Sequence, residues 1–184
     1  LEFCILAGVL LSLLLYLNRT SRPTLTVLAP VGGAEARRFM PLGQSGNCPQ
    51  LLIVRVDGSL FYGAVDHVRD RLLVLAGGTA LPRHLLLLGD GINLIDIAGA
   101  HLLEEEARRL AAAGGALYLA RIKPPVLEVL ERSGALSVIG AGNLFDTTAL
   151  ALAAIHRRLD TAVCRGCDLR PFEECSGLPD GRAR

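Results

Sequence analysis

The sequence predicts an α/β domain with an open, mostly parallel sheet of about four or five strands and about four flanking helices. Short apolar runs of strand length alternate with longer segments whose apolar residues recur every three or four positions, and Gly or Pro separates most of them. Because the apolar runs are continuous, we expect strands that are buried on both faces. An uncharged apolar stretch at the N-terminus stands apart and predicts a further, apolar helix.

The composition supports one folded domain with some extension. The chain has 184 residues, of which 51% are hydrophobic, although aromatic residues make up 4% and Trp is absent. This length suits a single domain, and its core must come from Leu, Ala, Val and Ile. The formal net charge of +1 at pH 7 provides no bulk attraction to polyanions, so we expect no nucleic-acid partner.

Residues 1–23 are predicted to be the end of a transmembrane helix and its exit from the bilayer. Residues 3–17 read FCILAGVLLSLLLYL without a charge, and Arg19 and Arg22 come next. A bilayer span needs about 20 apolar residues, so this run predicts the last part of a span that begins upstream. The two arginines favour a cytoplasmic position for the rest of the chain. A signal peptide fits less well, because Glu2 replaces its basic segment; a buried helix or a cloning artefact would also account for the run.

The predicted domain covers residues 24–160 and begins with a short strand over residues 24–28, followed by a Gly- and Pro-rich loop. Residues 51–56 form a β-rich run, and Asp57-Gly58 is predicted to turn the chain into a short strand at 59–61. A helix with one apolar face and then a continuous apolar strand are predicted over residues 64–75 and 85–88.

The second half of this domain is predicted to continue the alternation. Residues 100–113 form a helix with an apolar stripe, and Glu105 and Arg109 on its polar face are spaced as an ion pair. A Pro-Pro pair suits the first turn of a helix over residues 124–132. Asp146 is predicted to cap the last helix, which ends near Leu159. The intervening strands are predicted at residues 116–120 and 136–139.

The segment Asp96-Ile97-Ala98-Gly99 is the first candidate site. It lies between an apolar strand and a helix, where helix N-termini bind anions and where open parallel sheets hold their sites. Asp96 has a structural interpretation, as a helix cap, and a functional one, as the border of a recognition loop. His101, in the first turn, is either a ligand contact or a surface residue. We expect a regulatory or partner-binding loop.

No catalytic residues are predicted. The sequence lacks the phosphate-binding, dinucleotide-binding, zinc-protease and serine-hydrolase motifs, and its four histidines are dispersed. We therefore expect that the chain is not an enzyme.

Residues 161–184 are predicted to be a tail with a second candidate site, formed by Cys164, Cys167 and Cys175. A Cys-x-x-Cys pair can chelate zinc or iron or act in redox exchange, and ordinary thiols are the third interpretation. A tetrahedral site lacks one ligand here, which His156 or a second chain would have to supply. In a cytoplasmic domain we expect thiols or metal ligands instead of disulfides. We expect no cofactor, apart from the zinc that these cysteines could bind.

Three stretches resemble a known family. LEFCILAGVLLSLLLYLNRTSRP, residues 1–23, resembles the last membrane helix and exit of SulP-family anion permeases. LLIVRVDGSLFYGAVDHVRDRL, residues 51–72, resembles the opening strand and helix of their cytoplasmic STAS domain. LIDIAGAHLLEE, residues 94–105, resembles the strand, loop and helix of STAS domains, the sulfate transporter and anti-sigma factor antagonist fold. Together the resemblance covers nearly the whole chain.

The resemblance implies a STAS fold on the cytoplasmic side of the cell membrane, attached to a membrane domain that moves sulfate or related anions. It implies a regulatory or interaction role. The partners that it implies are the bilayer, through the N-terminal helix, the remaining membrane domain of the transporter, a second copy through that transporter, and a cytosolic protein.

The resemblance also bears on Ala98. In anti-sigma factor antagonists a Ser in an Asp-Ser-Ser-Gly-like loop is phosphorylated, and Ala98 stands at the matching position. Without a hydroxyl no phosphate ester can form there. The alternative function is a membrane-tethered STAS signalling module of the antagonist type that cannot be phosphorylated at this position.

Overall fold

The computed structural model describes residues 2–31, 38–41, 48–75, 83–172 and 175, and within these ranges the chain forms seven strands and seven α-helices. The strands are β1 (Thr24–Val31), β2 (Arg38–Pro41), β3 (Leu51–Leu60), β4 (His84–Leu88), β5 (Ile92–Ile95), β6 (Ala116–Ala120) and β7 (Leu144–Phe145). The helices are α1 (Glu2–Thr20), α2 (Val65–Leu75), α3 (Ile97–Ala112), α4 (Pro124–Arg132), α5 (Ala135–Ile139), α6 (Thr148–His156) and α7 (Thr161–Arg165).

The strands form one mixed sheet in the order β2-β1-β3-β4-β6-β7, and β5 pairs with β3. The pairs that join β3, β4, β5, β6 and β7 are parallel, and β1 is antiparallel to β2 and β3. The predicted α/β class with a mostly parallel sheet is therefore confirmed. The sheet is wider than predicted because β2 and the short β5 and β7 also pair.

Successive residues of the central strands point to opposite faces of the sheet. In β4, Leu85 and Leu87 join one buried cluster, and Leu86 and Leu88 join the other. The helix face is the side covered by α2, α3, α4 and α5. The tail face is the side covered by α6, α7 and the segments that contain Cys48 and Phe172. The parallel crossovers advance in one direction along the sheet, so their right-handedness puts all of their helices on one face.

The predicted turn at Asp57-Gly58 is wrong, because β3 continues through it to Leu60. The strand instead changes its neighbour there: residues up to Arg55 pair with β4, and Gly58 and Leu60 pair with β5. Gly58 has φ +138°, and a Cβ there would lie 2.8 Å from Cβ of Pro23. A glycine allows this bend without ending the strand.

The predicted strand at residues 136–139 is also wrong. These residues belong to α5, and the last strand is β7. Gly134, at φ +81°, turns the chain after α4, and Ala135 and Ile139 are buried four residues apart against the helix face. A short apolar run fits a buried strand and a helical turn equally well, and tertiary packing selected the helix.

The two other differences concern a cap and an ion pair. Thr147, not Asp146, caps α6, and its hydroxyl accepts a hydrogen bond from Leu150 N at 3.2 Å. On α3, the predicted pair of Glu105 and Arg109 is replaced. Arg109 pairs instead with the buried Glu106 at 2.5 Å, because a buried carboxylate without a cation is costly.

Helix α1 carries large apolar side chains that the domain leaves uncovered. Phe3 is 90% exposed, and Leu13, Leu14 and Leu15 are 52%, 60% and 60% exposed. In the described part of the chain, no helix has both the length and the apolar character needed to cross a membrane.

Candidate functional site

Asp96 is the N-cap of α3, in the extended conformation that a capping residue adopts. Its Oδ1 accepts a hydrogen bond from Gly99 N at 2.8 Å, and its Oδ2 accepts one from Tyr62 N at 2.9 Å. Its own N–H donates to the carbonyl oxygen of Leu60 at 3.0 Å. The carboxylate thus joins the start of α3 to the turn before α2, which supports the structural interpretation of this residue.

Gly99 is required by the close approach of α3 to the end of β3. A Cβ at this position would lie 2.3 Å from the carbonyl oxygen of Leu60 and 2.9 Å from Cγ1 of Ile95. Real Cβ atoms do not approach a backbone oxygen so closely, so any larger residue would push the helix away from the strand. This contact is the physical reason for a glycine at the start of α3.

The side chains at the start of α3 differ in exposure. Ile97 is 54% exposed, Ala98 is half-buried and His101 is exposed. No hydroxyl occurs at positions 96 to 99, so these four residues offer no site for a phosphate ester.

Ala98 and His101 line one side of a cleft of about 410 Å³ between α2 and α3. The opposite wall contains Tyr62 and Arg69. Arg69 bridges the cleft, because its guanidinium contacts Glu105 at 2.7 Å on α3 and Asp66 at 3.0 Å on its own helix. The hydrogen bond from Arg69 to Glu105 raises the pKa of the guanidinium. The cleft therefore carries one cation between two carboxylates, and all three charged side chains are at least partly exposed to solvent.

The tail face contains the second candidate site. Cys164 on α7 and Cys175 are buried, and Cys167 is half-buried. The structure adds Cys48, which is buried just before β3 in the same cluster as Cys164 and Cys175. Cys48 was not among the residues predicted for this site, because no local pattern in the sequence relates it to the cysteines of the tail. In the ranges that the structure describes, no three His, Cys, Asp or Glu side chains are arranged to hold a metal ion.

Fold and site together define an α/β domain with its crossover helices on one face and a capped, partly apolar loop at the edge of a cleft. Residues 43–151 match the family model of the STAS domain, which is more than half of the chain. The chain belongs to the STAS domain family.

Relatives and solved structures agree with this assignment. High affinity sulfate transporter 2 of Stylosanthes hamata is 28% identical over 162 residues, which are 83% of this chain and 24% of the relative. The murine solute carrier 26 family member A9 anion transporter superposes with a TM-score of 0.73 at 17% identity, over 84% of this chain and 26% of that one. A sulfate transporter family protein from Wolinella succinogenes has a TM-score of 0.52 at 25% identity, over 59% and 87%.

The chain spans about a quarter of the length of the curated relatives it matches. These matches confirm the predicted resemblance to the STAS domains of sulfate transporters. The binding roles of Asp96, Ile97, Ala98, Gly99 and His101, and those of the tail cysteines, stay predictions.

Proposed function

We propose that this chain is the cytoplasmic STAS part of a SulP-type secondary anion transporter in the cell membrane, where it regulates the transporter and docks partners. Residues 1–23 are the end of the last membrane helix, residues 24–160 the STAS domain and residues 161–184 the tail. The observation that carries the proposal is an uncovered apolar helix directly ahead of a STAS domain. Transport of sulfate or a related anion would take place in the membrane domain, and the chain itself would have no catalytic role.

The exposed apolar surface of α1 extends around the helix. Residues 13, 14 and 15 are exposed leucines that span about 200° of the circumference, and the exposed Val9 and Tyr16 lie on the remaining side. A helix that is apolar on every side belongs in lipid or among other apolar helices. This supports the bilayer and the rest of the transporter as its surroundings.

A short connection joins the end of α1 to the first strand of the sheet. Ser21 caps the helix, with Oγ donating to the carbonyl oxygen of Leu17 at 2.7 Å. Two residues later, Pro23 is buried and packs against Gly58. A Cβ atom added to Gly58 would lie 2.8 Å from Cβ of Pro23. Such a short, packed connection supports a domain that lies directly beneath the membrane and moves together with the last membrane helix.

Vesicle flotation tests the membrane part of this proposal. The 184-residue chain should float with phosphatidylcholine–phosphatidylglycerol vesicles. The double substitution Leu10→Arg and Leu14→Arg should leave the chain at the bottom of the gradient, since each Arg costs about 2.5–3.5 kcal/mol inside the bilayer. The matched control is Val74→Arg, on the exposed side of α2, which should float like the parent. Equal flotation of all three proteins would count against membrane insertion of α1.

The complete reading frame that encodes this chain tests the transporter part. It should encode several further hydrophobic segments upstream and restore labelled sulfate uptake to cells that lack a sulfate transporter. Ile97→Glu, at the exposed start of α3, should change that uptake at equal membrane abundance, while Val163→Glu, at an exposed position of α7, should not. A reading frame without further membrane segments would refute the proposal.

A membrane-tethered signalling module of the anti-sigma antagonist type is the second candidate, favoured by the strand–loop–helix geometry at Asp96. Both functions leave Ala98 without a phosphate, and they differ in whether an antagonist kinase recognises the domain. Incubation with antagonist kinases and ATP, followed by intact mass measurement, should add no phosphate to the chain. Ala98→Ser is the matched variant that restores the hydroxyl. Phosphate on the Ala98→Ser variant would favour the signalling module.

A further inference from the structure

The chain passes from α1 into the sheet at the edge where the parallel strands end. β1 begins at Thr24, shortly after α1, and Thr24 pairs with Asp57 in the last part of β3. Because β3, β4, β6 and β7 are parallel, their carboxyl ends all lie on this edge, which we call the carboxyl edge. The residues that follow these strands therefore lie on the same side of the domain as the end of α1.

The turn after β3 lies against the end of α1. A Cβ atom added to Gly63 would lie 3.3 Å from Oγ of Ser21, the residue that directly follows α1. The neighbouring Tyr62 is 83% exposed, and its backbone is held by the hydrogen bond from Tyr62 N to Asp96. An aromatic ring with a hydroxyl is typical of the interface between lipid and water. With α1 in the bilayer, the Tyr62 ring lies near the level of the lipid headgroups.

β5 adds an exposed aliphatic side chain to the carboxyl edge. It pairs with Gly58 and Leu60 in the last part of β3, beyond the residues of β3 that pair with β4. Leu94 on β5 is 53% exposed. Exposed aliphatic and aromatic side chains beside basic ones are the combination that binds at a membrane surface.

Two basic side chains belong to the same surface. Arg22 is exposed in the connection between α1 and β1. Lys123, which follows β6, donates from Nζ to Oδ1 of Asn93 on β5 at 2.6 Å. The amide is neutral, so this contact leaves the positive charge of the ammonium group in place. Basic groups next to the end of a membrane helix attract anionic lipids of the cytoplasmic leaflet.

The carboxylates of the carboxyl edge are engaged within the domain or lie far from α1. Asp57 contacts Arg55 at 2.8 Å, Asp90 contacts Arg121 at 3.5 Å, and Asp96 accepts from two backbone N–H groups. The exposed Asp146 follows β7, at the opposite end of the sheet from β1. The part of the edge beside α1 therefore presents cations towards the membrane.

We propose that Tyr62, Leu94, Arg22 and Lys123 form a lipid-contact patch that binds the anionic headgroup layer of the cytoplasmic leaflet. This inference rests on the proposed function, because it requires α1 in the bilayer. Tyr62 and Leu94 enter the interface, and each cation favours an anionic over a neutral surface about fivefold. Tyr62 also lines the cleft between α2 and α3, so the contact holds the rim of that cleft against the membrane. A cytosolic protein is the less favoured occupant, because lipid around α1 leaves little room for one beside Ser21.

Tryptophan fluorescence tests the patch, since the chain contains no Trp of its own. The 184-residue chain is reconstituted into phosphatidylcholine–phosphatidylglycerol vesicles that contain lipids with brominated acyl chains, which quench nearby indoles. The indole of Tyr62→Trp should be quenched, and its emission should shift to shorter wavelength. The matched control is Val74→Trp, exposed near the other end of α2, which should be neither quenched nor shifted. Lys123→Gln, added to Tyr62→Trp, should lower the ratio of quenched to unquenched indole about fivefold.

Tyr16→Trp, at an exposed position near the end of α1, reports helix insertion separately. Quenching of Tyr16→Trp without quenching of Tyr62→Trp would overturn the lipid-contact patch and leave the proposed function standing. Absence of quenching in both variants would overturn both proposals. Should Tyr62→Trp fail to fold by circular dichroism, Leu94→Trp replaces it.

The complete transporter distinguishes lipid from protein as the cover of the patch. Tyr62→Trp in that protein should again be quenched by the brominated lipids. A shift to shorter wavelength without quenching would mean that the membrane domain covers the patch, and it would overturn the lipid contact. Equal quenching of Tyr62→Trp and Val74→Trp would overturn it as well, because the contact would then not be specific to the carboxyl edge.

Discussion

The two faces of the sheet have the same depth of burial but different chemistry. The buried cluster of the helix face consists entirely of Leu, Val, Ile and Ala among the described residues. The cluster of the tail face includes Tyr118, Phe172 and three cysteines, and the buried polar side chains of His84 and Gln50 lie beside it. Regular crossover helices cover the first face, whereas α6, the short α7 and irregular segments cover the second.

The difference shows that the segments covering a face of the sheet determine which types of side chain can be buried beneath them. Amphipathic helices satisfy their own backbone groups, so the face beneath them can be purely aliphatic. Irregular segments present polar groups that need partners, and Gln50 supplies them for Asp160 on the tail face. Gln50 and His84 are therefore buried on the tail face, whereas on the helix face α3 buries Glu106, which is paired with Arg109, and the candidate site lies at the rim.

The largest expected effect comes from removing one core leucine on each face. Leu86 and Leu87 are neighbours in β4, fully buried on opposite sides. Each change to Ala should lower the free energy of unfolding by about 2–5 kcal/mol. We expect Leu87→Ala to lie at the upper end, because packed helices collapse into the cavity less readily than a short tail. Urea denaturation of both variants measures this, and a larger loss for Leu86→Ala would reverse the comparison.

The next effect concerns the close packing of α3 on β3. Gly99→Ala puts a Cβ against the carbonyl oxygen of Leu60 and should lower the free energy of unfolding by about 1–3 kcal/mol. Gly142→Ala is the matched control, since a Cβ there meets nothing within 4 Å. Thermal unfolding followed by circular dichroism compares the two. Equal midpoints would mean that α3 does not rest on the strand as described.

A smaller effect compares one helix cap on each face. Asp96→Ala should lower the free energy of unfolding by about 1 kcal/mol, and Asp96→Asn by less because an acceptor oxygen remains. Asp160 caps α7 by accepting from Ala162 N at 2.8 Å. Asp160→Ala should cost less than Asp96→Ala, because the Asp96 carboxylate also holds Tyr62. Denaturant midpoints of the three variants measure the order, and an equal or larger loss for Asp160→Ala would contradict it.

The smallest effect at neutral pH is the titration of His84 on the tail face. Burial lowers the pKa of its imidazole, with help from Arg158 and Arg83, and Nδ1 forms a hydrogen bond with the Tyr118 hydroxyl at 3.1 Å. Because the folded pKa is lowered, the stabilisation is present above about pH 6.5 and is lost as the pH falls. The loss is at most about 1.4 kcal/mol per pH unit.

His84→Gln removes this titrating group and provides the control. Unfolding free energies between pH 5 and pH 8 should fall less steeply with acid in the variant than in the parent. Parallel pH profiles of the variant and the parent would show that His84 is not responsible for the loss of stability in acid.

Elements with a strong local signal were predictable from the sequence. The Pro-Pro pair marked the start of α4, whose predicted bounds agree with the structure, and the predicted bounds of β4 were correct within one residue. Elements with a weak local signal were not predicted correctly. β2 lies in a loop without strand character, and α5 is an apolar run too short to show a period. Residues 76–82, which follow α2, lie outside the described residues.

The candidate sites divide in the same way. The start of α3 is local, since Asp96 caps a helix three residues from Gly99, and its role as a cap was one of the two interpretations. The thiol cluster is non-local: Gln50 and Cys164, which share a hydrogen bond, are 114 residues apart. No spacing rule relates such positions, so Cys48 entered the cluster through sheet formation alone.

The sequence by itself determined the alternation of strands and helices, the apolar character of the N-terminal helix and the absence of a hydroxyl at Ala98, because each depends on neighbouring residues. Tertiary structure decided the bend at Gly58, the helical state of α5 and the meeting of the cysteines. Those features depend on which strands pair and which face each helix covers. Pairing brings together residues whose separation along the chain carries no record of their distance in space.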